Sequence, residues 1–159
     1  MRWVISASAA VALTISSAAT ALAQPQVPVQ SVDGFPVYAI DVGGAYQSTL
    51  GAQGQQARDR SQVELWTIDG RDVNCMRISM SSREFAPSIV LMQGTPQTLR
   101  SATPENQIVA TDANTAGRNT AQVTASGSGR GSLGQVTLVA SSASADMHAG
   151  EYLLTLRRC

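Results

Sequence analysis

From residue 35 onward, apolar side chains recur at every second position in short runs, and clusters of Gly, Ser, Asn and Asp separate the runs. In residues 73–80, Met76, Ile78 and Met80 fall on one side while Cys75, Arg77 and Ser79 fall on the other. In residues 151–158, Tyr152, Leu154 and Leu156 oppose Leu153, Thr155 and Arg157. A period of two is that of a strand with one face on a core. A helix needs apolar residues at three- and four-residue spacing over about eleven positions. Only the Ala-rich stretch 141–149 leaves room for a helical turn. The pattern predicts strands over 35–42, 46–50, 62–68, 73–80, 88–92, 107–111, 120–125, 135–141 and 151–158. Runs of this length bounded by turn formers are the signature of an antiparallel sandwich or barrel.

The first 23 residues break this pattern. Met1-Arg2-Trp3 carries one positive charge, nothing ionisable follows from Val4 to Leu22, and Ala21-Leu22-Ala23 places small residues before Gln24. This is the layout of a secretory signal peptide, with cleavage expected after Ala23. An uncleaved anchor helix is the alternative, since residues 4–23 are long enough to span a bilayer. Lipoprotein processing would need a cysteine where Gln24 stands. No later apolar stretch reaches the length of a membrane helix, so no membrane span is expected once the signal is removed. Residues 24–34 hold Pro25, Pro28 and several Gln and read as an extended linker. Residues 35–159 then form one domain, large enough for a real core.

Composition narrows the partners. The chain has 11 basic and 11 acidic residues, and losing Arg2 leaves the remainder one unit negative. Such a balance gives no electrostatic reason to bind nucleic acid or anionic lipid. Every basic residue is Arg and none is Lys. Arg favours planar, bidentate partners, but GC-rich coding would produce the same count.

The two cysteines are Cys75 and Cys159. An exported chain with an even count is expected to pair them. Both fall opposite the inward sets Met76/Ile78/Met80 and Tyr152/Leu154/Leu156, so they meet if the two strands are neighbours. The bridge would close a loop of about 84 residues, worth on the order of 4 kcal/mol in the chain-entropy account. The alternative is a free Cys159 used between molecules. A catalytic thiol finds no histidine near it in sequence.

The order of these signals resembles the bacterial pre-peptidase C-terminal domain. Ser48-Thr49-Leu50-Gly51 makes a loose lead, followed by Val63-Glu64-Leu65-Trp66-Thr67-Ile68-Asp69-Gly70. Residues 76–80 precede the corner Ser82-Arg83-Glu84-Phe85-Ala86-Pro87 and the short apolar strand Ser88-Ile89-Val90-Leu91. Thr111-Asp112-Ala113-Asn114 precedes Asn119-Thr120-Ala121-Gln122-Val123, and Gly134-Gln135-Val136-Thr137-Leu138 precedes the closing Gly150-Glu151-Tyr152-Leu153-Leu154-Thr155-Leu156. The resemblance covers about residues 48–158 and implies an all-β, antiparallel jelly-roll-like β-sandwich of about eight or nine strands. It implies a non-catalytic domain and places Phe85 and Tyr152 in the core. The chain departs from the family pattern at Ala86, where the corner has Asp, and in a longer hairpin over 70–74. No peptidase domain accompanies the module in this chain.

Reaction chemistry is sparse. The one histidine, His148, sits in a loop before the last strand, where a triad would need a nucleophile and an orienting group beside it. One histidine and two paired cysteines do not make a zinc site. The acid pairs Asp69/Asp72 and Glu105/Asp112 could suggest glycoside cleavage, but they fall in turns, where Asp bonds local backbone. Asp112 and Asn114 begin a calcium site without the further oxygens it needs. The glycines of 126–134 precede no helix and read as a hairpin tip, not a phosphate loop. No catalytic residue, metal ligand or cofactor is expected.

Binding on a sandwich usually lies on loops or on an aromatic platform. The long polar loops are 51–61, 111–119 and 126–134. Trp66 faces opposite to Val63 and Leu65, so it either stands exposed or covers the other sheet. The candidate surface is therefore Trp66 with Asp112, Asn114, Arg118 and Arg130. The leading expectation is a periplasmic or secreted, non-catalytic binding or accessory module acting on an envelope protein or extracellular polymer. The alternatives are an assembly subunit that self-associates or joins a partner through strand edges, and a hydrolase.

Overall fold

The computed structural model describes residues 27–32, 34–51, 62–95, 108–113, 119–127, 131–143 and 149–159. They form ten strands and no helix: β1 (Gln30–Val32), β2 (Phe35–Ile40), β3 (Ala45–Leu50), β4 (Val63–Gly70), β5 (Cys75–Ser82), β6 (Pro87–Gln93), β7 (Ile108–Ala113), β8 (Thr120–Ser126), β9 (Gly134–Ser142) and β10 (Gly150–Arg158). Two sheets pack face to face. One has six strands in the order β1-β2-β4-β9-β6-β7, the other four in the order β3-β10-β5-β8. The sheets are not closed into a barrel, so the sandwich is the form adopted.

Every pairing is antiparallel except β2–β4, which runs parallel with Val37 beside Leu65 and Ile40 beside Ile68. The chain leaves the larger sheet after β2, crosses as β3 and returns as β4, so two same-sense strands become neighbours. Local periodicity carries no information about that crossover. The corner between β2 and β3 turns at Gly43, whose φ of +104° suits glycine. Gly43 N–H donates to Leu156 O (2.9 Å), and Leu156 N–H donates to Gly44 O (3.1 Å), which ties the corner to β10. β1 falls within the segment expected to be a linker, where it pairs with β2 at the sheet edge. Ser141 and Ser142 continue β9 as strand. The rest of the stretch that allowed a helical turn, residues 144–148, lies outside the described residues, as do residues 1–26.

The core is the shared interior of the two sheets. Ile68, Leu91 and Leu138 enter it from the larger sheet, and Met80, Leu154 and Leu156 from the smaller; all are fully buried. Each such side chain contributes about 1.5–3 kcal/mol on leaving water. The inward sets read for β5 and β10 are the observed ones. Cys75 and Cys159 are disulfide-bonded, with Cα atoms 5.4 Å apart. The β5–β10 register brings Arg158 opposite Met76, so the next pair outward is Cys159 and Cys75.

Candidate functional site

The outer face of the four-stranded sheet is mostly polar, with Leu153 and Ala45 as its apolar members. Backbone register aligns Gln47, Leu153, Ser81 and Thr120 in one row across β3, β10, β5 and β8. The next row is Ala45, Thr155, Ser79 and Gln122, and the third holds Arg157, Arg77 and Thr124. The sequence reads this way because polar or small residues occupy every second position of these strands. Gln122 Nε2 donates to Ser79 Oγ (2.8 Å), and Gln47 Nε2 donates to Glu151 Oε2 (3.3 Å). Arg77 and Arg157 stand directly opposite each other. Like charges in that relation destabilise a sheet. Among the described residues the one ion pair is Asp69–Arg71, on the other sheet.

At the opposite end of this face from the arginines lies a shallow cavity of ≈ 470 Å3, lined in part by Gln47, Ser81, Arg83, Thr120, Glu151 and Leu153. Its rim is braced by the corner after β5. Ser82 Oγ donates to Glu151 O (2.7 Å) and accepts from the N–H groups of Glu84 (3.1 Å) and Phe85 (3.4 Å). The Glu84 carboxylate accepts the Glu151 N–H (2.9 Å). It lies so close to Gly150 that a Cβ there would meet Glu84 Oε2 at 2.1 Å, which is why glycine opens this strand. The result is a rigid shelf of hydroxyl, amide and carboxylate groups that can hydrogen-bond a polar partner.

A second polar group lies between the sheets. Glu64 points inward from β4 and is only 5% exposed. It accepts from Ser48 Oγ (3.0 Å) and from the Tyr152 hydroxyl, which in turn accepts the Trp66 indole N–H (3.0 Å). Burial pushes the Glu64 carboxyl above the usual carboxylate range, and the bonds from Tyr152 and Ser48 pull it part of the way back. Burial first, and then the charge of Glu64, hold the Tyr152 hydroxyl well above an ordinary tyrosine. The same two causes raise Tyr38. No cation joins this chain of bonds. The neighbouring inward residue, Gln62, is also buried, and its Oε1 has no hydrogen-bond partner.

Trp66 corrects the sequence expectation. It is 1% exposed, its ring packs 5.1 Å from that of Tyr38 and 6.1 Å from that of Tyr46, and it is no part of a binding surface. Glu64, Trp66 and Ile68 form the inward set of β4, and Val63 and Leu65 face outward. Asp112 lies in strand β7 rather than in a loop. It pairs with Ile89 in register, and its Oδ2 accepts the Gln122 N–H of β8 (2.8 Å), clasping the edges of the two sheets. Asn114, Arg118, Arg130 and His148 lie outside the described residues. The exposed turn acid Asp69 is held at about 2 by hydrogen bonds from Arg71. Phe85 and Tyr152 stack edge to face in the core, 6.4 Å apart, as their motif positions imply. The polar face itself was missed in the sequence; its signal was the Ser/Thr/Gln alternation opposite the core positions of β5, β8 and β10. Among the described residues no cluster of three or more His, Cys, Asp or Glu side chains could hold a metal ion, and no helix is long and apolar enough to cross a membrane.

No family model matches the chain, and no curated protein matches it by sequence. Solved structures do match it by fold. The CorA protein of Methylomicrobium album BG8, a surface-associated copper-binding protein important in copper acquisition, superposes with a TM-score of 0.52 at 8% identity, over 79% of this chain and 98% of that one. The periplasmic g-type lysozyme inhibitor PliG of Aeromonas hydrophila overlaps less well, with a TM-score of 0.40 at 10% identity over 76% of this chain and 96% of that one. The pre-peptidase C-terminal domain of a Bacillus anthracis collagenase superposes with a TM-score of 0.51 at 13% identity, over 77% of this chain and 95% of that one. Strand layout, the closing Gly-x-Tyr-x-Leu strand and this superposition agree: the chain has the β-sandwich fold of a pre-peptidase C-terminal domain.

Proposed function

We propose that this chain is a non-catalytic binding or accessory module of the cell envelope, working in the periplasm or outside the cell. In this reading residues 1–23 are a signal peptide and residues 35–159 the functional domain. The disulfide supports the location, because such bonds persist in oxidising compartments. The sequence supports the non-catalytic reading, since it holds a single histidine and neither cysteine has a histidine near it in sequence. The partner is an envelope protein or extracellular polymer. It docks on the outer face of the four-stranded sheet, at the cavity beside Ser81 and Thr120.

The observation that carries this reading is the row Gln47–Leu153–Ser81–Thr120, polar except for Leu153, above a braced rim. Such a flat, hydrogen-bonding shelf suits a partner rich in hydroxyl or amide groups. The test measures co-sedimentation of the exported protein with purified envelope polymers, and its retention on immobilised envelope proteins. Ser81→Trp, which fills the cavity floor, should cut binding at least tenfold while the circular dichroism stays unchanged. Equal binding by wild type and Ser81→Trp would refute the assigned face. Turnover of ester, glycoside or peptide substrates that vanished on replacing a carboxylate would refute the non-catalytic reading.

A further inference from the structure

The two outer faces of the sandwich differ in kind. On the six-stranded sheet, register aligns Val37, Leu65, Val139 and Val90 in an unbroken apolar row across β2, β4, β9 and β6. The adjacent outward positions are Ala39, Thr67, Thr137 and Met92 on one side and Val63, Ser141 and Ser88 on the other. Most of these side chains are half-buried, and Val37 and Thr137 are fully buried, the latter bonding Gly94 O through its hydroxyl. The described residues form only two layers, so no third sheet or helix among them lies over this row. The exposed large hydrophobic residues stand at the two ends of the same sheet: Val27 (82%) and Val29 (58%) precede β1 in sequence, Val29 alternating with the outward Gln30, and Ile108 (45%) opens β7. Val29 donates its N–H to Val37 O (2.9 Å), which fixes it at that edge.

We propose that this face is a self-association surface, on which a second copy of the chain packs its own six-stranded sheet. Charge favours that occupant. Among the described outward positions of the face the one ionisable side chain is Asp69, at the far end of β4 and already bound to Arg71. A neutral, apolar face meets its two-fold copy without like-charge repulsion, as an isologous interface must. The absence of Arg from its outward positions leaves nothing to attract an anionic lipid surface. Size is sufficient. Six strands about 4.8 Å apart, over rows about 20–25 Å long, offer roughly 600–700 Å2 per copy, or roughly 1,200–1,400 Å2 for the pair. That is the lower end of the range for specific complexes, so the dimer is a weak one that populates with concentration. Sheet-on-sheet packing of this kind repeats, between copies, the arrangement that already forms each core. The inference is independent of the partner proposed for the opposite face.

Sedimentation velocity of the exported protein from about 1 to 200 μM tests it. The weight-average mass is expected to climb from one chain towards two. Leu65→Arg should weaken association at least tenfold, whereas Ser79→Arg on the opposite face should leave it unchanged. If Leu65→Arg does not fold, the double variant Leu65→Thr/Val139→Thr keeps strand-forming side chains and should show the same loss. A wild-type protein that stays monomeric throughout overturns the proposal, as does a dimer broken by Ser79→Arg and indifferent to the changes at Leu65 and Val139.

Discussion

Glu64→Gln should make the protein's stability less sensitive to alkali, and Glu64→Leu should be less stable than Glu64→Gln at every pH. Glu64 is buried with no cation beside it, and its folded pKa is raised above the ordinary value of 4.5. The folded state therefore holds a proton that the unfolded state has released, over the interval from 4.5 up to the raised folded value. A state that binds more protons when folded loses stability as pH rises. Below 4.5 both states are protonated and the stabilising contribution is fully present. Across the interval the wild type loses up to about 1.4 kcal/mol per pH unit, the limit for one proton. Glutamine stays neutral and can serve both donors, accepting from Tyr152 through Oε1 and donating to Ser48 Oγ through its amide. Leucine serves neither. Ser48 is half-buried and its hydroxyl also interacts with that of Tyr152, which is 2% exposed, so once Glu64 is gone the Ser48 Oγ can accept from Tyr152 but one of the two hydroxyl donors loses its acceptor. An unsatisfied buried donor costs about 1–3 kcal/mol. The assay is urea unfolding at pH 5, 6, 7 and 8 with linear extrapolation, disulfide intact. Wild type minus Glu64→Gln should fall as pH rises above the ordinary value and level off beyond the raised folded one, and Glu64→Leu should sit about 1–3 kcal/mol below Glu64→Gln at each pH. Parallel pH profiles for wild type and Glu64→Gln would refute the argument that Glu64 is forced towards its neutral form.

Two further outcomes are expected. Replacing both cysteines, Cys75→Ala with Cys159→Ala, should lower stability by about 4 kcal/mol from the loop-entropy account for a separation of 84 residues; thiol labelling of the unfolded, unreduced wild type should find no reactive sulfhydryl, and two labelled cysteines would defeat the bridge. With residues 1–23 removed, Trp66 is the sole tryptophan, so its emission should be blue-shifted and resistant to iodide until the protein unfolds; a red-shifted, readily quenched signal would contradict its burial.

Most strands were legible because the chain alternates large apolar with polar residues, which β5 shows most clearly and β10 shows apart from the outward Leu153. The disulfide followed from that phase, since Cys75 and Cys159 share the outward side of neighbouring strands. β4 was harder to read. Both its faces are apolar in part, and its inward set begins with a carboxylate, which sequence reasoning sends to solvent. The apolar outer face of the larger sheet made Val63 and Leu65 look like core and left Trp66 looking exposed. Asp112 misled for a related reason: a turn-like Asp-Ala-Asn string hid a strand residue whose carboxylate serves the edge of the other sheet. The parallel β2–β4 pair and the overall strand order depend on long-range pairing, which no local window contains. The polar shelf around Ser81 and Thr120 appears only when register places residues from four separate strands in one row.

The position of β10 has a consequence for how the protein comes into being. β10 lies between β3 and β5 and is hydrogen-bonded to both, yet it is the last of the ten strands to leave the ribosome. Until it arrives, β3 has no neighbour within its sheet, and β5 and β8 pair only with each other. A polypeptide delivered N-terminus first thus stays open along one whole layer until its closing segment emerges. The same late arrival that completes the ladder brings Cys159 to Cys75, so oxidation acts as a latch on a structure already assembled.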